Sequence, residues 1–173
     1  MGTVRRCVSH DALATLDEQQ RAIRYSAANG RLGLMTEPAA LIEYADHWVL
    51  PYRDMMVIQF RVTRSLTFDL DGDAQIQIET PFRLTLNASG PSRTAAVPIE
   101  LNPERHEIVP AFSLLLARVT SAIAYKKGAL QVDFDNGARL NVPPHPIYEA
   151  WNATGPGNLH IVAPPGNDLA VWT

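Results

Sequence analysis

Residues 130–142 read LQVDFDNGARLNV. Apolar Leu130, Val132 and Phe134 alternate with polar neighbours, and beyond Asp135-Asn136-Gly137 the alternation resumes at Ala138, Leu140 and Val142. Alternation with period two puts the apolar residues on one face of a strand, and Asn-Gly between two such runs is the strongest short-range hairpin signal. The chain carries this pattern twice. Residues 66–78, LTFDLDGDAQIQI, align on it without a gap: Leu66, Phe68, Asp69, Leu70, Asp71, Ala74, Ile76 and Ile78 fall on Leu130, Val132, Asp133, Phe134, Asp135, Ala138, Leu140 and Val142. With one residue added to the spacing, Asn87-Ala88-Ser89-Gly90 falls on Asn152-Ala153-Thr154-Gly155. A lone hairpin is marginal in water, so two of them, each with one apolar face, stabilise each other by burying those faces together. The expected core is a duplicated antiparallel β unit, with repeats at about 55–90 and 118–155. It forms either a two-sheet sandwich or a partly open barrel.

The flanking sequence fills in the rest. Residues 55–63, 81–86, 119–125, 159–163 and 169–172 read as further strands, and 94–107, with Pro98 and Pro103, as an irregular connection. Pro110 followed by Phe112, Leu115 and Leu116 suggests a short buried helix, since proline fits a first helical turn. Ahead of the β domain, Ser9 and Asp11 open an amphipathic helix over 10–28 that buries Leu13, Leu16, Ile23 and Ala27 and stops at Asn29-Gly30. Thr36-Glu37-Pro38 opens a second, with Ala40, Leu41 and Tyr44 as its apolar stripe. The predicted class is therefore α+β: a helical segment over 1–47 packed on a β domain over 48–173.

Composition excludes several functions. Net charge is −3, and the only adjacent basic pairs are Arg5-Arg6 and Lys126-Lys127, which argues against a phosphate-binding face and so against nucleic acid. Cys7 is the single cysteine, which rules out an internal disulfide or a multi-cysteine zinc site and fits a reducing compartment. No apolar run reaches the roughly 18 residues that span a bilayer, and no apolar stretch of the signal-peptide kind follows Arg5-Arg6. The expectation is a cytoplasmic protein with no membrane partner.

Chemistry-bearing motifs are sparse. Asp69-Leu70-Asp71-Gly72-Asp73 superficially suggests a calcium loop, but its glycine comes fourth rather than sixth and Glu79 comes too soon to close the loop. It reads instead as a hairpin turn with exposed carboxylates. His10, His47, His106, His145 and His160 show no metal-ligand spacing, and no nucleophile elbow or phosphate loop is present. The richest local group is His145, Tyr148, Glu149 and Trp151, whose imidazole, phenol and carboxylate suit either a ligand cleft or plain core and turn roles. Trp48, Trp151 and Trp172 each border a β segment, and as a set they suit either a core plug or an aromatic patch for a partner.

The stretches Gly137-Ala138-Arg139-Leu140-Asn141-Val142, Tyr148-Glu149-Ala150-Trp151 and Pro165-Gly166-Asn167-Asp168-Leu169-Ala170-Val171-Trp172 resemble a family of small uncharacterised bacterial proteins common in actinobacteria. That family carries a strand of the form dG-x-L-x-V, then YEAW, then PGG-x-L-A-V-W. The resemblance covers about 48–172 and departs at Asn167, where the second glycine would stand. It implies a β domain and no established activity, although some small families of this kind act as immunity or accessory proteins beside toxins. The functional expectation is a non-enzymatic interaction protein without cofactor, engaging another protein or itself as a homodimer. The alternative is a small-ligand-binding protein or enzyme with a pocket around His145, Tyr148, Glu149 and Trp151.

Overall fold

The computed structural model describes residues 40–86, 97–166 and 168–173. In chain order the elements are β1 (Ile42–Glu43), β2 (His47–Val49), β3 (Val57–Val62), β4 (Leu66–Leu70), β5 (Ala74–Ile78), β6 (Phe82–Thr85), β7 (Ile99–Leu101), a 3₁₀ helix (Val109–Leu114), β8 (Val119–Tyr125), β9 (Leu130–Phe134), β10 (Arg139–Val142), β11 (Trp151–Gly155), β12 (Leu159–Val162) and β13 (Ala170–Trp172). They form two antiparallel sheets, ordered β1-β2-β8-β9-β10-β6-β7 and β13-β12-β11-β5-β4-β3. Among the described residues the sheets do not close into a barrel.

The two alternating segments are the hairpins β4–β5 and β9–β10, and they pair in the same register. Leu66 faces Ile78 and Phe68 faces Ile76, as Leu130 faces Val142 and Val132 faces Leu140. In the second turn Gly137 takes φ +80, which glycine adopts at no steric cost; the matching place in the first turn holds Asp73 at φ +60. The correspondence runs further than the sequence indicates. β3 pairs β4 with a bulge between Val57 and Gln59, and β8 pairs β9 with a bulge between Val119 and Ser121. The Met56 amide donates to the Asp71 carboxylate, and the Arg118 amide donates to the Asp135 carboxylate in the same way. Asp71 is therefore a main-chain acceptor, and Asp69 is held by Arg61, so two of the three carboxylates expected to be exposed are engaged.

The fourth strands are exchanged between the two halves. β6 follows β5 in the chain yet pairs β10, and β11 follows β10 yet pairs β5. Through these registers Arg83 and Leu84 occupy the places of Asn152 and Ala153. This corrects the expected match of Asn152-Ala153-Thr154-Gly155 to Asn87-Ala88-Ser89-Gly90, which lies outside the described residues. Similar composition suggested that match, whereas ladder pairing decides which residues are equivalent. At one corner the sheets meet: Met56 and Arg118 form a lone bridge, flanked by bonds from the Val57 amide to the Ala117 carbonyl and from the Val119 amide to the Met55 carbonyl.

Between the sheets lies one apolar core. Leu66, Phe68, Leu70, Ile76, Ile78 and Trp151 come from one inner face, and Phe82, Leu84, Val119, Leu130, Val132 and Leu140 from the other.

Several expectations need correction. Among the described residues there is no α-helix, so this part of the chain is β rather than α+β. The helix expected over 10–28 lies outside the described residues. In the described part of the second expected helix, Ile42–Glu43 is a strand and Ala40 and Tyr44 are exposed, because β1 pairs back on Trp48 and Val49. The sheet therefore begins upstream of residue 48. The supposed irregular connection contains β7, which pairs β6. The apolar run from Val109 forms a 3₁₀ helix that buries only Ala111 and Leu114; so short an element has too little surface facing the core to bury a residue on every side.

Candidate interaction surface

The residues singled out from the sequence do not gather into one site. Trp151 is fully buried on β11, and its indole Nε1–H donates to the Gly128 carbonyl in the β8–β9 turn at 2.8 Å. It plugs the core, which corrects its place among the candidate binding residues: alternation along β11 turns it inward with Ala153. His145 and Tyr148 stay together on the loop between β10 and β11. Their rings stack at 5.2 Å, and His145 Nδ1 accepts from the amides of Ile147 and Tyr148. Accepting through Nδ1 makes the imidazole a turn former. The Glu149 carboxylate accepts from the Asn152 side-chain Nδ2–H at 2.8 Å and stands close enough to Glu79 to raise that carboxyl, whose displacement comes first from desolvation. Trp48 is half-buried on β2 with the Lys126 ammonium 5.5 Å over its ring. Trp172 is exposed on β13 and stacks on His160 at 5.2 Å. Trp151 is buried and Trp172 exposed, so the three tryptophans form neither a common plug nor a common patch.

A cluster that the sequence reading missed is more continuous. On β3, Phe60 faces Phe68 and Val62 faces Leu66. Directly opposed residues share a face, so Phe60 and Val62 lie on the core side of the sheet, at its open rim. The Phe60 ring meets Phe68 edge-on at 5.1 Å and Phe112 edge-on at 5.4 Å. The Leu116 amide donates to the Val57 carbonyl, which brings that leucine beside the bulge residue Ile58. Phe112 is 49% exposed, Leu115 46%, Leu116 65% and Ile58 50%. Scattered apolar residues are normal on a surface, whereas this group is contiguous and lies beside a strand edge that no strand covers among the described residues.

The open edge has a local cause. In the other sheet, the edge of β8 is covered by β2, with Val49 against Ile123 and Trp48 against Ala124, and Leu50 continues the pairing by donating to the Ala122 carbonyl. Bonds at the corner make 50–57 and 112–119 counterparts: Asp54 donates to Val119 and Leu116 to Val57, and both Asp54 and Leu116 have positive φ. The segment matching β2 is therefore Val109-Pro110-Ala111. Pro110 has no N–H to give a ladder and sits at the start of the 3₁₀ helix, so this segment coils instead of covering β3. The signal was present in the sequence, in a proline heading an apolar run with no polar face.

Among the described residues no group of three His, Cys, Asp or Glu side chains is placed to hold a metal ion, and no helix is long and apolar enough to cross a membrane. Fold and surface together define a two-sheet antiparallel β protein with an apolar strand edge. The chain belongs to the family of unknown function DUF6188, whose model matches residues 48–173. Searches of curated proteins and of solved structures return no significant match.

Proposed function

We propose that this is a non-enzymatic interaction protein that engages another protein, or a second copy of itself, through the apolar surface around β3. The observation that carries this reading is the β3 edge, uncovered among the described residues, lying beside exposed Phe112, Leu115 and Leu116. An unpaired strand edge supplies main-chain donors and acceptors, and neighbouring apolar side chains supply burial; strand addition uses both. Aromatic anchors such as Phe60 and Phe112 suit the centre of such an interface.

Site-specific photocrosslinking in cells that produce the protein tests the reading. A benzophenone side chain at Leu115 is expected to give discrete adducts of defined mass, and the same probe at exposed Glu104 is expected to give none. Absence of adducts from positions 58, 112 and 115 alike would remove the proposal.

A further inference from the structure

Building on that reading, we infer that the occupant of the β3 edge is β3 of a second copy, paired antiparallel about Phe60, so that the six-stranded sheet continues across a two-fold axis into its counterpart. Three observations converge. β3 runs six residues, whereas the other sheet edges, β1, β7 and β13, run two or three. Short edges resist pairing and a long apolar one invites it.

The counterpart of β3 in the other sheet is already covered by an antiparallel strand, with β2 lying on β8 at Ile123 and Ala124. By the registers of the two hairpins those residues correspond to Arg61 and Val62. That stretch of edge in this fold accepts a strand, and Pro110 keeps the chain's own matching segment from supplying one.

The third observation is self-complementarity. Read antiparallel to itself about Phe60, β3 sets Ile58 against Val62 of the second copy, Gln59 against Arg61 and Phe60 against its own equivalent. No like charges face each other, and Arg61 is already neutralised by two hydrogen bonds to Asp69. The bulge contributes as well: it adds Ile58 on β3, where β8 carries Thr120. The edge is apolar at the place where the covered strand is polar. Phe112 and Leu116 then lie along the rim of the pairing, ready to be buried on both sides. An interface in which each patch meets itself closes as a dimer and does not propagate.

The experiment is sedimentation velocity on the full chain over a range of concentrations. A dimer is expected, and Ile58→Lys/Val62→Lys is expected to weaken it by roughly a hundredfold in dissociation constant, because the two introduced ammonium groups face each other twice across the axis. Both sites are exposed, and unchanged circular dichroism verifies the fold of the variant. The register is tested by Ile58→Lys/Val62→Glu, in which each new cation meets a new anion; this variant is expected to dimerise again. A wild-type monomer at every concentration overturns the inference, as does a dimer indifferent to the first variant or one not restored by the second. A monomer that nonetheless gives a heterologous photoadduct from position 58 overturns the second-copy occupant while leaving the interaction-protein reading standing. A monomer without any adduct ends both.

Discussion

Trp151 donates its indole N–H to the Gly128 carbonyl at 2.8 Å, and so a strand of one sheet is tied to a turn of the other through the largest fully buried side chain. The bond and the packing are separable. Trp151→Phe keeps an aromatic body but strands a buried carbonyl and leaves a void, with an expected loss of about 2–3 kcal/mol. Trp151→Ala removes the whole plug, with an expected loss of about 3–5 kcal/mol. Urea unfolding monitored by far-UV circular dichroism reads both. A loss below about 1 kcal/mol for Trp151→Ala would contradict the core assignment.

Sequence revealed those parts of the fold that are local. Asp135-Asn136-Gly137 between two alternating runs specifies a hairpin within one short segment, and β4–β5 and β9–β10 lie where that signal puts them. β11 was hidden because its partner β5 is remote in the chain, and Trp151-Asn152-Ala153-Thr154-Gly155 has too little apolar alternation to announce a strand. The candidate surface failed to show for a different reason. Apolarity at Phe112, Leu115 and Leu116 predicts burial by default, and only the missing ladder partner, traced to Pro110, leaves them outside.

A second constraint on the same strand sits at Gly155. A Cβ built there would lie 2.9 Å from Tyr52 Cε1, and Tyr52 is itself fixed, fully buried, with its hydroxyl donating to the Thr154 carbonyl at 2.9 Å. Burial pushes the Tyr52 phenol well above its ordinary pKa, so it stays a donor. Gly155→Ala is expected to cost about 1–3 kcal/mol by overpacking. In a Tyr52→Leu background the same change should cost distinctly less, because contacting sites couple. Thermal or urea denaturation of the four proteins closes the cycle, and additive losses would show that the ring is not what the new methyl meets.

Leu116 holds φ +64 although it is neither glycine nor asparagine. For a branched side chain that left-handed conformation costs roughly 1–2 kcal/mol, part of which glycine recovers after its own greater loss of chain entropy. The Leu116 amide bond to Val57 keeps the residue there. Leu116→Gly is therefore expected to raise stability by about 0.5–1 kcal/mol, an unusual sign for a glycine substitution. If the leucine also lines the dimer rim, the same variant should associate more weakly. Denaturation at low protein concentration separates the first effect from the second.

The remaining prediction concerns pH. The Glu79 carboxyl is raised above its ordinary value of 4.5, first by burial and next by the neighbouring Glu149, with the Gln77 amide opposing both by donating to it. A raised acid binds its proton more tightly in the folded state than in the unfolded one. Stability is therefore highest below the ordinary value, where both states are protonated, and falls as pH rises through the folded value. Above that value the full penalty of the partly desolvated charge is present, a modest one because Glu79 remains exposed to solvent. Glu79→Gln keeps an acceptor for Gln77 and carries no charge, so it is expected to be more stable than the parent at pH 7 and to converge with it below about pH 4.5. Urea midpoints at pH 4, 5.5 and 7 test this. A gain of the same size at all three would assign the effect to packing, whereas a gain that grows with pH assigns it to the charge on Glu79.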